Sequence, residues 1–241
     1  MIEIENLTKQ FGHKTAVDHL SFSVRKGEVL GFLGPNGAGK STTMRMITGF
    51  LPPSGGDARI CGLSILSNPR EAKQKIGYLP ESAPLYNDMT VIGFLRFCAG
   101  IRGLNGSARK EAVERAIETC FLQRVAQQSI DTLSKGYRHR TCLAQALLHD
   151  PEVLILDEPT DGLDPNQKYE VRQLIKRLGE TKAILFSTHI LEEVEAACTR
   201  ALIVDRGRIV EDGTPAELVA RGNGSLTELF RKVTTLDRAA A

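Results

Sequence analysis

Net charge is nearly absent from this chain: 31 Lys and Arg against 29 Asp and Glu leave a formal +2 over 241 residues. A dedicated nucleic-acid binder carries a strong basic excess, so only a local basic patch is left open. Cysteine pairing is lacking as well. Cys61, Cys98, Cys120, Cys142 and Cys198 are odd in number and widely spaced, with no Cys-x-x-Cys pair, and the five histidines are scattered. That argues against a disulfide framework or a structural zinc site and predicts reduced thiols. No apolar run approaches the ~18 residues of a spanning helix. Met1-Ile2-Glu3-Ile4-Glu5 carries acid where a secretory signal needs basic and then apolar residues, so a cytoplasmic chain is expected. If the protein works at a membrane, another chain crosses it. Internal repeats and Gly/Ser linkers are missing too, and the 41% hydrophobic and 25% charged residues are those of an ordinary globular domain.

What is present is an alternation of strands and helices. Ile2, Ile4 and Leu7 read as an edge-type strand, and Leu20, Phe22 and Val24 alternate with serines as a half-buried one. Val29 to Leu33 is apolar throughout, as a strand buried on both faces should be. A helix follows from Lys40 and stops at Gly49. The middle is helical: Thr90 caps one helix, Ser107 the next, and a third runs from Lys135 to about His149. Strand signals return at Val153–Leu156 and Ala183–Phe186. Between them a helix starts at Asp164-Pro165, an N-cap followed by proline at the first helical position, and ends at Gly179. Ala201–Val204 and Arg208–Val210 read as a hairpin about Arg206-Gly207. The pattern predicts a parallel α/β core interrupted by a helical insertion.

Three segments carry chemistry. Gly34-Pro35-Asn36-Gly37-Ala38-Gly39-Lys40-Ser41 matches the phosphate-binding loop, between a buried strand and a helix as that loop requires. Its glycines let backbone N–H groups turn inward, and the helix offers its positive end. Lys40 would reach the β/γ-phosphates and Ser41 a Mg²⁺. Leu154–Glu158 is an apolar strand ending in two acids at the edge that faces the ligand crevice of an α/β sheet. Asp157 is placed to hold Mg²⁺ through its water shell, and Glu158 to polarise an attacking water. Alone this pair is a weak signal; with the loop it is strong. Leu133-Ser134-Lys135-Gly136-Tyr137 precedes a helix, where Ser134 alone would read as a plain N-cap.

With these motifs in order, nearly the whole chain resembles the nucleotide-binding subunits of ABC transporters. Gly34–Ser41 is similar to their Walker A and Val153–Glu158 to their Walker B with its catalytic glutamate. Leu133–Tyr137 is similar to their signature, with Lys135 and Tyr137 as departures. Asp161-Gly162-Leu163-Asp164 resembles the D-loop, His189 the switch histidine, and Phe11 the aromatic that stacks on adenine. Glu81 stands where most members carry a glutamine. Within the family the chain resembles the ABC-2 type export ATPases, the gliding-motility and nitrous-oxide-reductase maturation group, although the tail after Pro215 is short against those relatives.

The resemblance implies a P-loop (RecA-like) α/β core with an antiparallel β subdomain and an inserted α-helical subdomain. The expected layout is one cassette over 1–241: core 1–86 and 151–213, helical subdomain 87–150, tail 214–241. It implies ATP hydrolysis with Glu158 and His189 catalytic. Nucleotide would be held by Phe11, Gly34 to Ser41, Thr42, Glu81, Ser134, Gly136 and Asp164, and Mg²⁺ by Ser41, Glu81 and Asp157. It further implies a second cassette sharing two ATP head to tail, an integral membrane permease partner, peripheral placement on the cytoplasmic face of the cell membrane, and no nucleic acid. The competing class is a soluble ATPase of this type acting on nucleic acid or ribosomes, which calls for a long coiled-coil insertion or two cassettes. Phe11 as a core aromatic and Glu81 as a solvated loop acid stay open. His13, His19, His139 and His149 read as ordinary polar residues, and Arg138-His139-Arg140 as a solvated helix face.

Overall fold

The computed structural model describes residues 1–82 and 84–235. The chain opens with β1 (Ile2–Phe11) and β2 (Lys14–Val24), followed by β3 (Val29–Leu33) and α1 (Lys40–Ile47). β4 (Gly55–Ile60), β5 (Leu63–Ser64), α2 (Pro69–Gln74) and β6 (Ile76–Leu79) lead to three helices: α3 (Val91–Ile101), α4 (Gly106–Thr119) and α5 (Lys135–Leu147). Then come β7 (Val153–Asp157), α6 (Pro165–Gly179), β8 (Ala183–Thr188), α7 (Leu191–Ala197), β9 (Arg200–Asp205) and β10 (Arg208–Gly213), with α8 (Pro215–Arg221) and α9 (Leu226–Thr235) at the end.

Two sheets result. One has four strands in the order β2-β1-β4-β5, all antiparallel; the other has six, β10-β9-β3-β8-β7-β6, parallel except for the β9–β10 hairpin. The unbroken apolar runs explain the second sheet. Every residue of β3, β7 and β8 is buried. Because side chains alternate along a strand, each run feeds two cores. Leu154, Leu156, Ile184 and Phe186 pack with the three-helix block and α6. Val153, Ile155, Ala183 and Leu185 pack with α1 and the first sheet. The result is a mixed α/β core with a separate antiparallel sheet and a block of three helices between β6 and β7, the layout expected from the resemblance.

Several sequence expectations need correction. β1 is not an edge strand: it lies between β2 and β4, with Ile2 opposite Val24 and Ile60. β4 escaped the sequence reading because GGDARI buries only Ala58 and Ile60 and opens on glycine. α4 starts at Gly106 with Asn105 ahead of it and no side-chain cap, so Ser107 is not the cap. Thr90 does cap α3, its hydroxyl accepting from the Gly93 N–H. Arg138-His139-Arg140 is not a solvated face. His139 is 5% and Arg140 6% exposed, because α5 has neighbours on several sides. Arg140 pairs with Glu170 of α6 and lies against the rings of Phe121 and Tyr137.

The end of the chain folds back on the core. Thr214 and Glu217 form a capping box for α8, and Leu218, Leu226 and Leu229 pack against Leu33, Val194 and Ile203. The last part of the expected tail, 236–241, lies outside the described residues, as does Ala83. Among the described residues, no helix is long and apolar enough to cross a membrane. All five cysteines are free.

Candidate functional site

The loop after β3 has its shape because of its glycines. Gly37 and Gly39 take φ of +84° and +101°, the region that L side chains avoid. A Cβ on Gly39 would also lie 2.5 Å from the Ala16 carbonyl oxygen. The loop ends at the N-terminus of α1, where unpaired backbone N–H groups and the helix dipole favour anions. Lys40 is 6% exposed and reaches back over the loop. Its ammonium donates to the carbonyls of Gly34 at 2.8 Å and Pro35 at 3.3 Å, and lies 3.5 Å from Glu158 Oε1.

The two acids after β7 have different surroundings. Asp157 is 1% exposed. Its Oδ1 accepts from Ser187 Oγ at 2.6 Å and Ser41 Oγ at 3.2 Å. Its Oδ2 is buried and has no hydrogen-bond partner among the described residues. A buried carboxylate oxygen without a donor is costly. A hydrated cation beside Ser41 would satisfy it, so the residues present fit a Mg²⁺. Glu158 sits at a left-handed φ of +52°, strain of the kind that collects at functional sites. Its N–H donates to Ser187 Oγ at 2.9 Å, and its Oε2 lies 2.9 Å from His189 Nδ1.

Lys40, Ser41, Glu158 and His189 line one cavity of about 630 Å³. It is also lined by Phe11, Lys14 and Ala16, by Asn36, Gly37, Gly39 and Thr42 of the loop and α1, and by Glu81 and Asp161. Phe11 is 50% exposed, with Lys9 Nζ 5.3 Å from its ring centre, so it is not a core aromatic. Gly34, Pro35 and Ala38 belong to the loop but do not line the cavity, and Asp157 reaches it only through its hydrogen bond from Ser41. Glu81 is exposed on the rim, where it also borders a second cavity of about 430 Å³ with Lys135, Arg138 and His139.

Ser134, Gly136 and Asp164 are not brought to this cavity. Ser134 caps α5, its hydroxyl accepting from the Tyr137 N–H at 3.4 Å. Asp164 caps α6 through the Gln167 N–H at 3.0 Å, and the Gln167 side chain lies against Gly136. Lys135 Nζ bonds Asp161 at 2.8 Å, and its ammonium holds that carboxyl below the usual carboxylate range. Sequence reasoning missed Lys14, Ala16 and Ser187. Ser187 and Thr188 did carry a signal, as polar residues continuing a buried apolar strand; Lys14 and Ala16 carried none.

Comparison with known proteins agrees with this geometry. Residues 17–161 match the family model described as ABC transporter. The probable multidrug ABC transporter ATP-binding protein YbhF of Escherichia coli (strain K12) is 40% identical over 222 residues. That alignment takes in 92% of this chain but 38% of the relative, so the chain spans well under half of YbhF's length. The linearmycin resistance ATP-binding protein LnrL of Bacillus subtilis (strain 168) is 41% identical over 226 residues, 93% of this chain and 72% of the relative. A solved structure of an ATP-binding subunit of an ABC transporter superposes with a TM-score of 0.87 at 28% identity, over 97% of this chain and 99% of that one.

Proposed function

The chain belongs to the ABC transporter family, and from that premise we propose that it binds and hydrolyses ATP to drive a separate membrane permease. The observation that carries this reading is the single cavity in which Lys40, Ser41, Glu158 and His189 meet, with Glu158 held 2.9 Å from His189. ATP would lie with its adenine on Phe11 and its phosphates on the loop N–H groups and Lys40. Asp157 and Ser41 would hold Mg²⁺, with Glu81 in reach from the rim; when bound, the ion neutralises charge on the β- and γ-phosphates. Glu158 accepts the proton of the attacking water, and His189 steadies Glu158 and the charge developing at the γ-phosphate. The products are ADP and phosphate.

Ser134 and Gly136 lie off this cavity, which supports a shared site: the N-terminus of α5 would face the γ-phosphate bound by a second copy. The helical block, 87–150, is the proposed permease-facing subdomain, with core segments 1–86 and 151–213 around it. It exposes Phe97 and Ile101 of α3 at 41% and 71%, and Tyr86, the last residue of the core segment before it, is exposed at 53%. Tyr86 meets Phe97 and Phe94 edge to face, an apolar patch of the kind interfaces use. We assign the chain to the ABC-2 type export group, on the cytoplasmic face of the membrane. The names of YbhF and LnrL, one multidrug and one resistance protein, support the export direction. Ser134→Arg tests the shared site. It should abolish turnover, and ATP-driven dimerisation seen by light scattering, while a fluorescent ATP analogue still binds. Full turnover by that variant contradicts the shared site.

A further inference from the structure

We infer that Glu193 is a positioning residue for the Glu158–His189 pair, a role that rests on the hydrolytic reading above. Glu193 lies on α7 and is 1% exposed. Packing alone calls for an apolar side chain there, since burying a carboxylate costs free energy unless its oxygens are hydrogen-bonded. Both oxygens are. Oε2 accepts from Thr188 Oγ1 at 2.6 Å, and Oε1 accepts a short bond from Thr160 Oγ1.

The two threonines sit on the two segments that carry the pair. Thr188 ends β8, directly before His189, and its hydroxyl also accepts from the Ile190 N–H at 3.0 Å. One hydroxyl therefore fixes the backbone on both sides of the histidine. Thr160 lies two residues after Glu158, in a turn closed by Asp161 N–H to Glu158 C=O at 3.1 Å and Leu163 N–H to Thr160 C=O at 3.3 Å. Glu158 itself holds its left-handed φ of +52° only if its surroundings over-determine it. Glu193 supplies that restraint from the buried side, and the 2.9 Å contact of Glu158 with His189 joins the same segments on the cavity side. Glu193 touches neither the cavity nor any reacting atom. It sets the separation of the two groups that do, and small misplacements of catalytic groups are expensive in rate.

Thr160→Val tests this, since valine keeps the shape, removes only the hydroxyl, and substitutes neither Glu158 nor His189; Glu193→Gln is its partner variant. Each should lower kcat by about ten- to a hundredfold while KM for ATP changes by less than about threefold, because positioning is lost and binding is not. Glu193→Gln should add little to the loss already caused by His189→Ala, since it acts through that residue. A purely structural role gives additive losses. An arm independent of turnover uses the histidine ring ¹H–¹⁵N spectrum of the full chain. The His189 signal should move in both variants while those of His13 and His19 stay fixed. Unchanged kcat in both variants, additive losses with His189→Ala, or an unmoved His189 signal would each overturn the proposal. Absent turnover in the wild type defeats the hydrolytic reading instead, and the spectrum then still decides whether Glu193 positions His189.

Discussion

Acid should loosen this protein well above the pH at which carboxylates protonate, and two histidines, His139 first, are the cause. Burial pushes the His139 imidazole from 6.5 down to about 4; the Asp161 carboxylate pulls it up against that, and the Lys135 ammonium lowers it further. Its Nε2 is buried with no hydrogen-bond partner, as suits a neutral ring. The unfolded chain therefore binds more protons than the folded one between those two values. Stability is fully present above about pH 6.5 and is lost as pH falls toward 4. For one such group the loss from pH 7 to pH 5 is about 2 kcal/mol. His149, pushed down to about 4 chiefly by burial and then by Arg102, adds a similar amount. Together they claim about 4 kcal/mol, a large part of the 5–15 kcal/mol typical of a folded domain. The assay is the urea midpoint followed by far-UV circular dichroism at pH 7, 6 and 5. His139→Leu should remove roughly half of the midpoint's pH dependence over that range. If the variant keeps the full wild-type slope, the burial argument is wrong.

Three further outcomes follow from single sites. Gly39→Ala puts a methyl group 2.5 Å from the Ala16 carbonyl at φ +101°, so nucleotide affinity, read with a fluorescent ATP analogue, should fall at least about tenfold. Glu81→Gln should keep most ATPase activity, while Glu81→Ala should lose stimulation by the permease and alter its Mg²⁺ dependence; an alanine variant equal to wild type in both makes Glu81 a solvated bystander. Ellman's reagent should find one fast thiol in the native protein, Cys61, and five after denaturation. Burial holds Cys98 at about 11 and Cys120 and Cys142 at about 12, and raises Cys198 as well; two or more fast native thiols contradict this.

The parts of the molecule legible in the sequence are those where local chemistry and tertiary position demand the same residues. Val29–Leu33 and Val153–Leu156 could only be strands buried on both faces, and Gly37 and Gly39 are required by the backbone of the loop they form. Asp164-Pro165 announces α6 in the same way. β4 was not legible, because Gly55 and Gly56 mask a strand whose place between β1 and β5 comes from pairing rather than propensity. Arg138-His139-Arg140 misled for a related reason. Charge reads as exposure, yet Arg140 is buried against Glu170 of α6, a partner thirty residues away that only the fold supplies. The same holds for Glu193, whose threonine partners lie on two different segments.

The most direct test of the account is single-turnover and steady-state phosphate release by the wild type and Glu158→Gln with Mg²⁺-ATP. The account predicts that the wild type hydrolyses ATP. The variant should bind ATP with little change and accumulate as a dimer, with kcat reduced by about 10²–10⁴-fold, the usual contribution of a general base. Near-normal turnover by Glu158→Gln, or no hydrolysis by the wild type, would contradict it.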